Sequence, residues 1–358
     1  MKILYDHQIF WKQNFGGISR YYTNLIKNLV KAKVDVEVVA PFFKNVYLKE
    51  LTNLKINGIY LKKKPLYLGW LVNYINKNFS KYLFKKKKPD IIHSTYYNLD
   101  HLEQYSGKII ITVYDLIHEI RRNEKNFLPK KKILEKAKKI ICISEETKNK
   151  LSTIYDIDIN KIDVIYMGYE HILYDEILDL NLKNPYILYV GSREKYKNFD
   201  YFIKQFSKSK NVRNDFDICL FGGGPIQGKE KELILSSGIK LEQIKHFSGS
   251  DQILYSLYKQ ANLFIFPSKF EGFGIPLIEA QACGCPVLAN DIKIFREICK
   301  DSVLYFDENK ENDLSIKLEE ILGSKEKLNL IKSKGDLNFL NYSWKKCAKD
   351  TLKIYQKI

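Results

Sequence analysis

Two successive series of short apolar runs, each followed by a longer stretch with helical spacing, constrain this chain more than any other feature. The runs are rich in Ile, Val and Tyr, and those of the second series end in Gly, Pro, Ser or Asn, which stop strands. Such alternation of strand and helix builds parallel sheets covered by helices. We therefore predict an α/β fold with strands near residues 34–40, 91–93, 108–113, 139–143, 163–166, 186–191, 217–224, 244–249, 263–268 and 286–290.

The division between the two series predicts two doubly wound domains. A chain of 358 residues, 45% of them hydrophobic, exceeds what one core usually serves, and a polar stretch follows Met167-Gly168. We place a linker at about 175–185. We expect domains at 1–178 and 179–340, and a final helix, 341–358, that crosses back to the first domain. Ligands of open α/β sheets bind beyond the carboxyl ends of the strands, so we expect the site in a cleft between the domains.

The strong positive charge narrows the partners without choosing one. The formal net charge is +17, and most of the excess falls in the first 178 residues. A basic surface suits nucleic acid, an anionic membrane leaflet or a phosphorylated substrate. A lysine-rich compositional bias would produce part of the same excess. No recognised nucleic-acid-binding motif is present, so we expect no nucleic-acid partner.

The cysteines and the apolar runs indicate a cytoplasmic protein. A chain of this length with six cysteines, and without zinc-type spacing to histidines, does not resemble a disulfide framework. The first residues lack the apolar core of a signal peptide, and no run of roughly 18 apolar residues could span a bilayer. We expect the protein in the cytoplasm, with at most a peripheral contact at the inner face of the membrane.

The stretch FPSKFEGFGIPLIEAQACGCPV, residues 266–287, carries the strongest chemical signal. It contains Glu271 and Glu279, with two glycines between them and Pro276 where a helix can begin. We expect strand, glycine loop and helix, with Glu271 on the loop and Glu279 in the first helical turn. Carboxylates accept hydrogen bonds from sugar and ribose hydroxyls, and a helix start binds phosphate. Taken alone, such a pair is also compatible with one helix-start carboxylate and one solvated carboxylate.

This stretch resembles the signature PSxxEGFGxPxxEAxAxGxPV of the family 4 retaining glycosyltransferases. The resemblance implies a GT-B fold, which consists of two Rossmann-like domains facing across a cleft. In that family the first glutamate holds the donor sugar and the second holds the nucleotide ribose, which by position are Glu271 and Glu279. It also implies donor contacts along the intervening loop, at Gly272, Phe273, Gly274 and Ile275.

Two further segments resemble the parts of that family that bind the donor diphosphate. FGGISRYYTNL, residues 15–25, is similar to a glycine loop after the first strand, which implies that the amides of Gly16 and Gly17 approach the diphosphate.

GSREKYKNF, residues 191–199, is similar to a strand-end motif whose cations neutralise the same group. Lys197 matches the family lysine. Ser192 stands where the family has arginine, and Arg193 follows one residue later.

TVYDLIHE, residues 112–119, departs from the family pattern at one position. The family commonly has His-Asp where this chain has Tyr114-Asp115, so a catalytic histidine would come from elsewhere, and packed or surface roles for the histidines remain open. We predict a catalytic set of Glu271, Asp115, His118 and Lys197. We predict acceptor-side contacts at His93, Tyr96 and Glu119.

The chemistry that the resemblance implies needs stabilisation of charge more than a nucleophile. Breaking the bond from sugar to diphosphate builds negative charge on the leaving phosphate, which cations, glycine amides and helix dipoles stabilise. The Asp156-Ile157-Asp158 sequence falls in a loop, so we expect no essential metal and no cofactor other than the GDP- or UDP-linked sugar donor. The resemblance also implies retention of anomeric configuration.

The segments together most resemble bacterial mannosyltransferase-like enzymes of O-antigen, capsule and exopolysaccharide assembly. The aromatic and lysine-rich segment 65–90 suits either a membrane interface or a packed helix with a solvated end. We expect a glycan or a polyprenyl-diphosphate-linked acceptor and contact with an anionic membrane. Alternatives are another GT-B enzyme, such as a nucleotide-sugar epimerase or a glycogen-synthase-like enzyme, an inactive sugar-nucleotide sensor, and a non-catalytic basic binding protein.

Overall fold

The chain folds into two compact units. A computed structural model describes residues 1–62, 68–121, 128–169 and 176–358, without the side chains of residues 118 and 121. The first unit comprises Met1–Gly168 and Tyr342–Ile358, and the second comprises Tyr169–Asn341. The predicted α/β class with two Rossmann-like domains is confirmed.

Seven parallel strands form the sheet of the first unit, in the order β3-β2-β1-β4-β5-β6-β7. They are β1 Lys2–Tyr5, β2 Asp35–Phe43, β3 Lys55–Tyr60, β4 Ile91–Ser94, β5 Lys108–Val113, β6 Lys139–Cys142 and β7 Ile162–Val164. The helices of this part are α1 Gln8–Lys12, α2 Gly17–Lys31, α3 Val46–Lys49, α4 Gly69–Lys87, α5 Ile117–Arg121, α6 Leu128–Lys136 and α7 Glu145–Tyr155.

Six parallel strands form the sheet of the second unit, in the order β10-β9-β8-β11-β12-β13. They are β8 Tyr186–Val190, β9 Asp217–Phe221, β10 Ile244–Phe247, β11 Leu263–Phe266, β12 Val287–Asn290 and β13 Leu304–Phe306. The helices are α8 Phe199–Lys208, α9 Lys210–Asp215, α10 Gly228–Ser236, α11 Asp251–Gln260, α12 Ile275–Ala282, α13 Lys293–Cys299, α14 Asp313–Leu322 and α15 Lys325–Asn338. The last helix, α16 Trp344–Lys357, belongs to the first unit.

Each run predicted as a strand contains one, because continuous burial on both faces favours apolar β-branched and aromatic residues. Strands β1, β3 and β13 were not among the predicted runs. Strand β3 lies at the edge of its sheet with half-buried or exposed side chains, so its sequence carries little apolar pattern. At Gly58 in this strand a Cβ atom would lie 1.6 Å from the carbonyl oxygen of Ala40, beside the register shift of β2. Glycine is required there by the close approach of two backbones.

Helix α16 is joined to the first sheet by buried hydroxyl contacts. The Tyr355 hydroxyl lies 2.7 Å from the Tyr5 hydroxyl and 2.5 Å from Nδ1 of His93. Near the start of the helix, a Cβ atom on Gly168 would lie 2.2 Å from the backbone nitrogen of Trp344, so only glycine allows this approach. The C-terminal segment therefore completes the core around β1 and β4.

No helix within residues 1–62, 68–121, 128–169 and 176–358 is long and apolar enough to cross a membrane.

Two buried histidines make the first unit sensitive to acid. Burial lowers the pKa of His93 to about 3, and burial together with repulsion from His101 lowers that of His7 to about 3. Below the ordinary histidine pKa of about 6.5, the folded state therefore binds fewer protons than the unfolded chain. The free energy of unfolding is highest above that pH and decreases as the pH falls toward 3.

We expect each histidine to lower the free energy of unfolding by about 1.4 kcal/mol per pH unit in that window. Calorimetry between pH 7.5 and 5.0 measures this slope. The His93→Gln variant should have a shallower slope than the wild type, and an unchanged slope would contradict the assignment to His93.

Candidate functional site

The second unit reverses its strand order between β8 and β11, and the predicted donor residues follow these two strands. Helices lead away in opposite directions at such a point, which leaves a crevice at the carboxyl ends of the strands. Lys197 lies in the turn Lys195–Lys197 after β8, and Glu271 lies on the loop after β11. The Lys197 Nζ atom donates to Oε1 of Glu271 at 2.6 Å, with side chains 15% and 13% exposed. The structure thus brings two residues 74 positions apart into one partly exposed ion pair.

The loop after β11 is shaped by glycine and by a buried aromatic ring. Gly274 has φ +96°, and a Cβ atom there would lie 3.0 Å from Leu277 and 3.1 Å from Phe295. Such a φ is strained for any other residue. The Phe273 side chain is buried, so it anchors the loop, and a donor contact at this residue must come from its backbone. Gly272 is buried and Ile275 half-buried, which places the whole loop close to the sheet.

Glu279 lies one residue beyond the first turn of the helix, where a first-turn position was predicted. Gly274 caps α12, so the helix begins at Ile275, Pro276 lies in its first turn, and Glu279 is the fifth residue. The expectation of a first-turn position was wrong by one residue, because the left-handed Gly274 allows the helix to start before the proline. Glu279 is half-buried, and its charge helps to raise the pKa of Tyr258, although burial of that hydroxyl is the larger cause.

A single carboxylate ties together the loops around Lys197 and Glu271. Glu308 follows β13, and its Oε2 accepts from Asn198 at 2.9 Å and pairs with Lys269 at 2.5 Å. Its Oε1 accepts from Asn290 at 3.3 Å. These partners follow or end three different strands, so Glu308 fixes the loops relative to one another. The sequence analysis did not identify this residue, since nothing local to it indicates the contacts.

Arg193 does not present a free guanidinium beside Lys197. Its Nε donates to Glu230 at 2.9 Å, its Nη1 to the Gly222 carbonyl at 3.1 Å, and its Nη2 to the Gly224 carbonyl at 2.7 Å. The side chain is 4% exposed. In place of the predicted diphosphate contact, the structure shows an arginine bound by backbone carbonyls.

In the first unit, Gly16 and Gly17 lie at the start of α2, as the resemblance implies. Gly16 caps the helix, Gly17 is exposed, and the side chain of Gln13 accepts from the Ser19 amide at 3.1 Å. This contact satisfies one of the amides that a helix start leaves without a partner. Contact of the two glycines with a diphosphate stays a prediction.

Two of the residues expected on the acceptor side are held in the interior. His93 is fully buried, with Nδ1 against Tyr355 and Nε2 against Thr112 at 2.9 Å. Glu119 Oε1 accepts from Lys130 Nζ at 2.6 Å and from the Tyr155 hydroxyl at 2.9 Å. The partners of both side chains come from distant segments and give them structural contacts, and their contact with an acceptor stays a prediction.

Asp115 and Tyr96 remain accessible in part. Asp115 follows β5, is half-buried, and its Oδ1 accepts from the Ile117 amide at 3.1 Å. Tyr96 is half-buried, with Lys12 Nζ 3.8 Å from its ring centroid. The backbone of His118 lies in α5, and its side chain is outside the described part of the chain, so its catalytic role stays a prediction.

A buried polar cluster at the corresponding reversal of the first sheet was not predicted. Asp6 directly follows β1, and its carboxylate accepts from Ser94 Oγ at 2.8 Å, Thr95 Oγ1 at 2.5 Å and His101 Nε2 at 2.9 Å. Burial would raise the pKa of Asp6, but the attraction and hydrogen bond of His101 outweigh it and hold the pKa well below its ordinary value. An aspartate immediately after the first strand was the available signal. The cluster pins the loops after β1 and β4.

No group of three or more His, Cys, Asp and Glu side chains within the described residues could hold a metal ion. Asp156 ends α7 in a left-handed conformation, and Asp158 accepts from the Asn160 amide at 2.9 Å. Both aspartates thus shape a turn. The expectation of a metal-independent reaction stays a prediction.

Comparisons with known proteins agree with this geometry. Residues 15–171 match the model described as Glycosyltransferase Family 4, and residues 173–336 match Glycosyl transferases group 1. An uncharacterized glycosyltransferase of Methanocaldococcus jannaschii is 25% identical over 96% of this chain and 95% of its own length. The O-antigen chain mannosyltransferase B of Escherichia coli is 21% identical, over 99% of this chain and 100% of its own length.

Among solved structures, Anabaena HepE in complex with UDP and glucose shares the fold. Its TM-score is 0.79 at 15% identity, and the match covers 100% of both chains. The two models adjoin and match both halves of the chain, which therefore belongs to the family 4, group 1 glycosyltransferases.

Proposed function

We propose that this glycosyltransferase moves a hexosyl residue, with mannose the leading candidate, from a nucleotide-diphosphate sugar to a glycan or lipid-linked acceptor. The proposed pathway is the synthesis of bacterial O-antigen, capsule or exopolysaccharide. The observation that carries the proposal is the ion pair of Lys197 and Glu271 at the strand reversal of the second unit. An ammonium group and a hydroxyl-binding carboxylate are the two groups that a sugar diphosphate needs side by side.

The role that we propose for each side chain follows from its charge. Lys197 stabilises the negative charge that develops on the leaving diphosphate, and Glu271 accepts hydrogen bonds from the donor sugar. Glu279, on α12, accepts from the ribose hydroxyls, and the backbone amides of the loop before α12 face the phosphates. In the first unit, Asp115 and His118 are the proposed catalytic groups on the acceptor side. The sugar is transferred to a hydroxyl of the acceptor with retained configuration and without a metal ion, and the nucleoside diphosphate is the leaving group.

Two similar proteins support the donor assignment, and they favour different bases for the donor nucleotide. The relative from Escherichia coli is named for mannosyl transfer to an O-antigen chain, which supports a GDP-linked mannose donor. The solved neighbour was crystallised with UDP and glucose, which supports a UDP-linked donor. The full-length alignment with the mannosyltransferase makes GDP-mannose the leading candidate.

The acceptor assignment rests on helix α4. Trp70, Tyr74, Lys77, Lys81 and Lys85 follow the spacing i, i+4, i+7, i+11 and i+15, so they form one stripe along the helix.

The other face of α4 packs on the first unit through Val72, Asn76, Ser80, Leu83 and Phe84. Trp70 and Tyr74 are 69% and 61% exposed. Aromatic rings and lysines on one exposed face suit the interface of an anionic membrane, where a polyprenyl-diphosphate acceptor resides. The segment 63–67 before this helix lies outside the described residues.

Donor binding is tested first by thermal shift with GDP, UDP, ADP, CMP and their common sugars. A ligand that binds the native state raises its melting temperature, and we expect one base to do so selectively. The Glu279→Ala and Lys197→Ala variants should weaken binding by roughly tenfold each, because each removes a hydrogen bond to a polar or charged ligand group.

The matched control is Glu326→Ala, which removes an exposed glutamate in the first turn of α15. This variant should retain the wild-type shift. If no nucleotide shifts the wild-type protein, or if the control loses the shift as the two site variants do, the donor assignment fails.

Metal dependence and stereochemistry are tested together on the donor that the thermal shift selects. Because Lys197 and the loop amides supply the stabilising charge, we expect transfer to continue within about twofold after treatment with EDTA. Proton NMR of the early product should show the anomeric configuration of the donor. Loss of transfer that is restored by Mg²⁺ or Mn²⁺, or an inverted product, would contradict the mechanism.

Membrane contact is tested by flotation with vesicles of phosphatidylglycerol and, separately, of phosphatidylcholine. We expect binding to the anionic vesicles, with a loss of roughly fivefold for each lysine neutralised in Lys81→Gln and Lys85→Gln, since a lysine near an anionic surface contributes about 1 kcal/mol. The double variant Trp70→Ser, Tyr74→Ser should also bind less.

The matched control for the aromatic pair is Leu337→Ser, Leu340→Ser in the second unit, whose side chains are 71% and 66% exposed. Because these leucines are about as exposed as Trp70 and Tyr74, the comparison distinguishes a specific membrane-binding surface from a general effect of exposed apolar side chains. Absence of wild-type flotation on anionic vesicles, or an equal loss in the control, would exclude α4 as the membrane contact.

A further inference from the structure

Arg193 bridges the ends of two neighbouring strands in the second unit. It follows β8, and its guanidinium reaches the loop after β9, where it binds the carbonyl oxygens of Gly222, Gly223 and Gly224. The distances are 3.1, 3.0 and 2.7 Å. Nε is held by Glu230 in the first turn of α10. A planar fork of five donors suits three convergent carbonyls, whereas a lysine offers one point charge.

The glycine loop has a conformation that depends on this contact. Gly222, Gly223 and Gly224 have φ of +85°, +72° and +78°. A Cβ atom on Gly223 would lie 2.6 Å from Nη1 of Arg193, so the arginine packs directly on the backbone. Three successive positive φ values turn three carbonyls toward one side, and their mutual repulsion there needs a buried cation to offset it.

The direction of the carbonyls determines the direction of the amides. In a trans peptide the C=O and the following N–H point opposite ways, and the described residues include no cis bond. The amides of Gly223 and Gly224 therefore point away from Arg193. The amide of Gly222 is already bound to the carbonyl of Phe247 at 3.0 Å, and Pro225 has no amide hydrogen. The N–H groups of Gly223 and Gly224 therefore remain at the carboxyl end of β9, and the guanidinium of Arg193 lies on the opposite side of the loop.

We infer that Arg193 is a positioning residue, which holds this loop so that the amides of Gly223 and Gly224 bind a phosphate oxygen of the nucleotide donor. Successive backbone amides with a nearby positive charge form an anion site. Lys197 then supplies the direct cationic contact with the diphosphate, and Arg193 acts through the loop. The inference rests on the proposed donor site.

The variants Arg193→Lys and Glu230→Gln distinguish this role from a direct contact with the diphosphate. If Arg193 touched the ligand, Glu230→Gln would free the arginine and leave affinity unchanged or improved. For a positioning role both variants weaken binding of GDP or UDP, and we expect roughly tenfold or more for Arg193→Lys because the carbonyls lose their charged donors. Affinity for GMP or UMP, measured in parallel, shows whether the loss extends to a nucleotide without the second phosphate.

The matched control is Arg213→Lys, a half-buried arginine of α9 that should leave nucleotide affinity unchanged. Hydrogen exchange of peptides covering 218–226, recorded without nucleotide, should be faster in Arg193→Lys and Glu230→Gln than in the wild type. Affinity within about twofold of wild type in Arg193→Lys, or unchanged exchange in this segment, overturns the inference. If the wild-type protein binds neither GDP nor UDP, the donor assignment fails, and the exchange measurement still decides whether Arg193 holds the loop.

Discussion

The ion pair of Lys197 and Glu271 joins the loops after β8 and β11, the two strands between which the sheet of the second unit reverses its order. Its two partners come from loops after different strands, and both side chains are largely but not fully withdrawn from water. An ion pair in such a position is strengthened by the reduced dielectric, and removing one partner leaves the other charge uncompensated. A ligand with both hydroxyls and phosphates replaces the contact without that penalty, because it offers a partner to each group. The pair therefore holds the loops after β8 and β11 together before any ligand binds.

Buried polar anchors hold the loops that present this pair. Glu308 joins the ends of three strand-to-helix connections, and Arg193 holds the glycine loop after β9. Loops at the carboxyl ends of strands carry few apolar contacts, so their geometry must come from hydrogen bonds and from glycine conformations. The two anchors lie on either side of the β8–β11 reversal in the sheet order, which is where a donor would lie. Under the proposed function, the partly exposed lysine binds the donor, and the buried arginine and glutamate hold the loops in position.

The sequence predicts the strands and the main loop because both depend on local pattern. Runs of three to six residues rich in apolar side chains locate β4, β5, β8 and β11, and the glycine spacing locates the loop before α12. The burial of His93 was not predictable, because it depends on Tyr355, which lies 262 positions further along the chain. The contacts of Glu119 were not predictable for a related reason, since Lys130 and Tyr155 reach it from other helices. Edge strand β3 escaped prediction because its side chains are exposed and its glycine serves a backbone contact.

The carboxylates at the two strand reversals, Asp6 and Glu271, differ in their capacity to accept further hydrogen bonds. Asp6 is fully buried, and its carboxylate accepts six hydrogen bonds, one each from Ser94 and His101 and two each from Thr95 and Gln8, which exceeds its roughly four lone-pair sites. No capacity is left for a ligand, so Asp6 can only fix the loops around it. Glu271 has its hydrogen bond from Lys197 on one oxygen, and an ammonium carries three N–H donors, so neither partner is exhausted by the other. Although the two sheets share one strand plan, only the reversal in the second unit combines partial exposure with unused hydrogen-bonding capacity, and a charged donor is expected to bind there.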